Sequence, residues 1–121
     1  MLIPTFVVRD MAEAISFDTE VLDFKLAFVL NEAAPFYAVL NRGPDELHLS
    51  LHSGRGPCGH GSAIVVCEDV DGLFTAFRAR GLTVPVRPES PVHEGPLDQT
   101  WGTREVHIED PSGNTLCFQQ R

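Results

Sequence analysis

One order of elements, a strand, a helix and then three strands, occurs twice along this 121-residue chain, and this repeat limits the folds available. Asp10 and Asp69 each follow a β-branched segment and stand where a side-chain cap begins a helix. Apolar residues at helical spacing follow both caps. Neither copy is large enough to cover both faces of its own sheet. We therefore expect an α+β fold of two βαβββ modules, which form a cup-shaped, partly open mixed sheet with the helices outside.

The repeat predicts the bounds of the elements. A Gly/Pro-rich link over 53–61 separates a first module of about residues 1–54 from a second of about residues 60–121, together one domain. Helices are expected near residues 10–22 and 69–80, and turns at 41–45 and 110–114. The predicted strands are 2–8, 25–30, 36–40 and 47–52 in the first module, and 62–67, 82–86, 104–108 and 115–119 in the second.

Composition and charge restrict the partners. The chain carries 17 acidic and 9 basic residues, a net charge of -8, which argues against binding to nucleic acid or to an anionic membrane. The first eight residues lack the features of a signal peptide, and no apolar run is long enough to cross a bilayer. The three cysteines fit neither a disulfide framework nor a CxxC zinc motif. We expect a cytoplasmic protein.

Two stretches resemble a known family. Asp10–Phe17 followed by Val21–Phe24 resembles the opening motif of the glyoxalase/bleomycin-resistance/dioxygenase (vicinal-oxygen-chelate) superfamily. Trp101–Glu105 with Asp110–Asn114 resembles the WGxRE…DPxGN ending of its bleomycin-resistance-type members. The resemblance covers nearly the whole chain and implies the same fold of paired modules.

The resemblance also implies where a metal would be held. Enzymes of the superfamily use side chains of the first and last strands of each module, which correspond here to Ile3, His48, Ser62 and Cys117. A catalytic metal needs about three protein ligands. Ile3 cannot ligate, Ser62 is a poor ligand, and Cys117 suits zinc only as a thiolate. We therefore expect no metal, no cofactor and no catalytic residue, with a site of His48, His60 and Cys117 as the alternative.

The last strand of each module predicts a binding surface. Alternation directs His48 and Ser50 in the first module, and Cys117 in the second, into the cup. A concavity with apolar walls and a few polar groups suits a small molecule. In the alternative interpretation, these polar groups only hydrogen-bond one another or water.

Aromatic residues extend this surface. Trp101 is the only tryptophan, and its indole can stack on a planar or cationic ligand or simply pack against its neighbours. The resemblance implies that this tryptophan lines a ligand groove, together with first-module aromatics such as Phe36 and Phe28.

Acidic residues complete the set of candidates. Asp18 falls within the apolar stripe of the first helix, where the superfamily has an aromatic residue, and Asp23 stands in place of a glycine. A carboxylate in an apolar interface must be paired, for example with Arg104, protonated, or open to a cationic ligand, so Asp18 joins the candidate ligand-binding residues. Glu105 and His107 share a strand face, which is typical of a solvated edge.

Two functions follow from these expectations. The first is a metal-free binding protein of the bleomycin-resistance type, which sequesters an aromatic or cationic ligand such as an antibiotic. The alternative is a metal-dependent enzyme of the glyoxalase, dioxygenase or fosfomycin-resistance kind. The resemblance implies a homodimer with grooves between chains, and the apolar inner face of each sheet needs a partner. The link at 53–61 allows the modules to pair either within or between chains.

Overall fold

In the computed structural model, which describes residues 1–121, each half of the chain forms a four-stranded sheet with its own helix. The first module contains β1 (Thr5–Val8), α1 (Met11–Ser16) continued by a π-helical turn (Phe17–Val21), β2 (Lys25–Leu30), β3 (Tyr37–Arg42) and β4 (Asp45–Leu51). The second contains β5 (Ser62–Cys67), α2 (Val70–Ala79), a 3-10 turn (Pro91–His93), β6 (Leu97–Asp98), β7 (Arg104–Glu109) and β8 (Thr115–Gln120). The expected α+β class and the two βαβββ modules are confirmed.

The two sheets share one topology. Their strand orders are β1-β4-β3-β2 and β5-β8-β7-β6. The first strand of each module pairs in parallel with the last, and the remaining pairs are antiparallel. Each sheet is therefore mixed, and the last strand of each module lies between its first and third strands.

Alternation along the strands divides each sheet into two faces. Phe6 and Leu49 are paired neighbours in the first sheet, Phe118 lies at the centre of the second, and all three are buried beneath the helices. Burial of this apolar layer is the main favourable contribution to folding. We call the opposite surface of each sheet its open face, because neither helix covers it. Neither helix is long and apolar enough to span a lipid bilayer.

The predicted helix signals act as expected. Asp10 accepts a hydrogen bond from the backbone N–H of Glu13 at 2.9 Å, and Asp69 accepts one from Gly72 at 3.0 Å. Such caps satisfy backbone N–H groups that have no partner within the helix. Gly81 has φ of 110°, and the N–H of Leu82 donates to Phe77 O at 3.0 Å, as in a Schellman C-terminus.

One predicted strand is wrong. Residues 82–86 form no strand, and the edge position beside β7 is taken instead by the two-residue β6. Pro85, Pro88 and Pro91 interrupt the predicted segment and its continuation. Proline has no N–H to give to a ladder, so local β-propensity is not enough here.

The end of the link at 53–61 is packed against both modules rather than free. A Cβ on Gly59 would overlap Ser112 O, and one on Gly61 would lie 2.7 Å from the Phe6 ring. Asn114, which is buried, donates to Val7 O at 2.9 Å and accepts from Gly61 N at 2.9 Å. This amide joins β1 of the first module, the link and the turn before β8.

We expect Asn114→Ala to lower the free energy of unfolding by about 2–3 kcal/mol, because it removes these bonds and leaves the Gly61 amide without its acceptor. Urea unfolding followed by far-UV circular dichroism measures the change. The matched control is Asn41→Ala at an exposed position of β3, which should change stability by less than about 0.5 kcal/mol. Equal losses in the two variants would contradict the bridging role.

Asp18 lies in the helix layer and not on an open face. It is 2% exposed, and its Oδ2 atom has no hydrogen-bond partner. Arg104, one expected partner, instead binds Asp71 at 2.9 Å and Asp98 at 3.1 Å. Burial, together with the nearby charge of Asp110, raises the pKa of Asp18 to about 8. The Asp18 carboxyl is therefore enclosed within the helix layer.

The position of Asp18 predicts stability that depends on pH. Because its pKa rises from 3.8 to about 8 on folding, the native state binds the more protons in this interval, and stability decreases as pH increases. Between these two pKa values, this group lowers the free energy of unfolding by about 1.4 kcal/mol per pH unit. Above the folded pKa the decrease stops, because the group is ionised in both the folded and the unfolded states. Asp18→Asn should remove this component and be more stable than the wild type at pH 7–8.

Urea unfolding at pH 5, 6, 7 and 8 checks this. Glu32→Gln, at an exposed loop position, is the control for removing one negative charge and should retain the wild-type slope. A wild-type slope in Asp18→Asn would show that Asp18 is ionised in the folded protein.

Candidate functional site

The open face of the second module forms the floor of a cavity of about 590 Å³. Three neighbouring strands form this floor, and their side chains lie side by side across it. Cys117 of β8, for example, lies between Ile64 of β5 and His107 of β7. Its lining residues are Ser62, Ala63, Ile64, His93, Trp101, Glu105, His107, Glu109, Thr115, Cys117 and Gln119. The structure thus brings Trp101 and Cys117, both predicted from the sequence, to one surface.

Glu105 is the centre of a hydrogen-bond network on this floor. Its Oε2 atom accepts hydrogen bonds from Thr103 Oγ1 at 2.6 Å, Gln119 Nε2 at 2.8 Å and Trp101 Nε1 at 3.2 Å. Its Oε1 atom accepts from His107 Nε2 at 3.1 Å. The residue is 4% exposed, so the expectation of a solvated edge at Glu105 is wrong.

These bonds determine the ionisation of Glu105. Burial alone would raise the pKa of its carboxyl, but the hydrogen bonds from Thr103, His107 and Gln119 outweigh burial and lower the pKa to about 2. The floor of the cavity therefore carries a fixed negative charge at neutral pH. A carboxylate can only accept hydrogen bonds, so His107 holds a proton on Nε2.

Cys117 is a neutral thiol in this environment. Burial, and next its hydrogen bond to Glu105, raise the pKa of the thiol to about 12. Its Sγ atom donates to Glu105 Oε1 at 3.3 Å. Without a bound cation, a thiol of this kind is a poor nucleophile.

The open face of the first module is built around His48. Its Nδ1 atom lies 2.7 Å from the hydroxyl of Tyr37, and its Nε2 atom lies 2.6 Å from Glu46 Oε2. The rings of Tyr37 and His48 meet edge to face, with centroids 5.4 Å apart. Ser50 is the direct partner of Tyr37 on the same face. Tyr37 was not predicted from the sequence, although alternation from its neighbour Phe36 would have placed it on this face.

The two first-module phenylalanines lie on different faces. Phe28, 51% exposed, pairs with Val39, which in turn pairs with His48, and so belongs to the open face. Phe36 is also exposed, but it precedes β3 and is bonded through its backbone to Leu51, whose strand partner is the buried Val8. The structure therefore joins Phe28, but not Phe36, to His48 and Ser50.

The residues at the superfamily's metal positions do not fit a metal. Ile3 offers no donor atom, and both ring nitrogens of His48 are engaged by Tyr37 and Glu46. In the register of β5 and β8, Ser62 lies opposite Thr115, whereas the residue opposite Cys117 is Ile64. The strand neighbour of the Cys117 thiol therefore offers no donor atom.

The alternative set of His48, His60 and Cys117 is not brought together within the chain either. The cluster of three metal-capable donors that does occur is Glu105, His107 and Cys117, whose donor atoms all lie within 4.8 Å of one another.

Solved structures of similar fold include two bleomycin-binding proteins. One, complexed with bleomycin, has 20% identity and a TM-score of 0.80, with 100% of this chain and 98% of that chain covered. The other, from Streptomyces verticillus and complexed with copper(II)-bleomycin, has 25% identity and a TM-score of 0.75, covering 97% and 92%. A lactoylglutathione lyase from Agrobacterium tumefaciens has 21% identity and a TM-score of 0.74, covering 99% and 92%.

Sequence comparison places the chain within one family. Among curated protein sequences, none matches significantly. The model of the Glyoxalase/Bleomycin resistance protein/Dioxygenase superfamily, however, matches residues 3–118. This match spans both modules, including the turn at 110–114 and the cap at Asp10. The chain therefore belongs to the glyoxalase/bleomycin resistance protein/dioxygenase superfamily.

Proposed function

We propose that this protein sequesters a small aromatic or cationic molecule, of the bleomycin class of antibiotics, in a groove between two copies of the chain. The observation that carries the proposal is the open face of the second module, where an exposed indole lies beside a buried, ionised carboxylate. The fold shared with bleomycin-binding proteins supports the same class of ligand.

Trp101 has the properties of a stacking platform. It is 67% exposed, yet its Nε1 atom is held at 3.2 Å by Glu105, so the orientation of its ring is set before a ligand arrives. A preorganised aromatic face loses little entropy on binding. The ionised Glu105 and the net charge of -8 favour cations near this face.

The partner in the groove is a second copy of the chain. Both open faces leave apolar side chains exposed, among them Phe28 and Leu30 in the first module and Ile64 and Val66 in the second. Contiguous apolar surface of this kind marks an interaction site, and a two-fold dimer covers it with identical contacts. Each groove would then combine Trp101 of one chain with Phe28 and His48 of the other.

The donor set gives no support to the alternative of a metal-dependent glyoxalase, dioxygenase or fosfomycin-resistance enzyme. That function rests on the four superfamily positions, of which Ile3 has no donor and His48 is fully engaged.

The three thiols are free, which supports a reducing, cytoplasmic location.

Binding is tested by titrating the metal-free protein with copper-free and copper-loaded bleomycin and following the fluorescence of Trp101, the only tryptophan. We expect quenching together with an increase in Tm. Isothermal titration should show that Trp101→Ala and Phe28→Ala each weaken affinity about 10-fold, the scale of one aromatic contact.

Phe36→Ala is the matched control, because Phe36 lies on the other side of its sheet, and it should bind as tightly as the wild type. The proposal would be contradicted if neither copper-free nor copper-loaded bleomycin bound, or if Trp101→Ala retained wild-type affinity.

The dimer is tested by light scattering at micromolar concentration. We expect a mass twice the 13.3 kDa of one chain. Ile64→Asp places a charge on an apolar open face where Ile64 is 59% exposed, and it should give monomers with an unchanged circular dichroism spectrum. Val86→Asp, at an exposed loop position, should leave the dimer intact. A monomeric wild type with full ligand affinity would contradict the shared groove.

A further inference from the structure

We propose that Glu105, His107 and Cys117 form a binding site for a divalent transition ion of the zinc type. The site shares only Cys117 with the superfamily's metal positions, because its other two ligands, Glu105 and His107, come from β7. The inference goes beyond the proposed function and does not depend on it.

The spacing of the donors suits a tetrahedral ion. His107 and Cys117 are direct cross-strand partners, and Glu105 lies two residues before His107 on the same face. Glu105 Oε1 is 3.1 Å from His107 Nε2 and 3.3 Å from Cys117 Sγ. Bonds of the usual length to zinc place neighbouring tetrahedral ligands about 3.3–3.7 Å apart, with the longer distances in pairs that include sulfur. The third pair, His107 Nε2 and Cys117 Sγ, lies within 4.8 Å, so the three donor atoms are close enough for side-chain rotation to bring them around one ion.

The second oxygen of Glu105 is already held in place. Thr103, Gln119 and Trp101 all donate to Oε2, which leaves Oε1 directed at the other two ligands. Such supporting hydrogen bonds orient metal ligands and increase affinity.

Charge and donor type select the ion. On binding, the Cys117 thiol releases its proton, the His107 proton moves from Nε2 to Nδ1, and both freed lone pairs bind the metal. One carboxylate and one thiolate then neutralise the two positive charges of the ion, which a largely buried position requires. Thiolate and imidazole ligands favour zinc or cobalt over magnesium or calcium.

The fourth coordination position faces the cavity. His107 has 30% of its side chain exposed, whereas Glu105 has only 5%, so an ion can enter from the open face. A site with three protein ligands and one open position can accept a water molecule or a donor atom of a ligand.

The test uses the intact chain and Co²⁺ as a spectroscopic substitute for Zn²⁺. We expect one cobalt ion per chain, with a near-ultraviolet thiolate-to-cobalt charge-transfer band that Zn²⁺ abolishes by displacement. Cys117→Ser should remove the band, whereas Cys58→Ser and Cys67→Ser, at the two half-buried thiols, should retain it.

His107→Ala provides the second arm, because its partly exposed side chain can be removed with the fold intact, as circular dichroism will verify. Loss of a supporting residue typically weakens metal binding about 10–100-fold, so loss of this ligand should weaken it at least about 100-fold. His52→Ala, between the end of β4 and the link, should bind as tightly as the wild type.

Three results would overturn the proposal: no metal retained after gel filtration, a charge-transfer band that persists in Cys117→Ser, or wild-type affinity in His107→Ala. Because bleomycin binding is measured on metal-free protein, failure of this site and failure of the proposed groove are distinguishable.

Discussion

The hydrogen bonds of the Asn114 side chain hold the two halves of this protein in one arrangement. Its amide donates to Val7 O and accepts from Gly61 N, while Asp110 fixes the same side chain at 3.0 Å. These contacts set where β8 begins relative to β1. From there β8 runs between β5 and β7 and directs Cys117 and Gln119 to the second open face, because each step along a strand reverses the direction of a side chain.

Two buried carboxyl groups show how environment decides chemistry. Glu105 accepts hydrogen bonds through both oxygens, and its pKa falls to about 2. Asp18 is buried to a similar extent without a partner at Oδ2, and its pKa rises to about 8. The first supplies a permanent charge to the cavity floor, whereas the second holds a proton in the helix layer. The supply of hydrogen-bond donors distinguishes them, together with the nearby charge of Asp110 in the case of Asp18.

The open faces connect the fold to the proposed binding role. A βαβββ module has one helix and therefore buries one face of its sheet, so Phe28 and Ile64 remain on the uncovered side. The same side carries the polar groups at His48 and Glu105. Apolar walls around a few oriented polar groups are what a small-molecule site requires. The incomplete burial of each sheet thus creates the surface that a ligand or a second chain can cover.

The sequence alone determined the order of elements, both helix caps and the face of each central strand, because these depend on local periodicity and on neighbours within a few residues. It therefore placed His48, Ser50 and Cys117 opposite the helices. Only the tertiary structure decided that β6 forms at Leu97–Asp98, that Phe36 lies apart from Phe28, and that Glu105 is a buried hydrogen-bond centre. These features depend on contacts between residues distant along the chain, which periodicity does not encode.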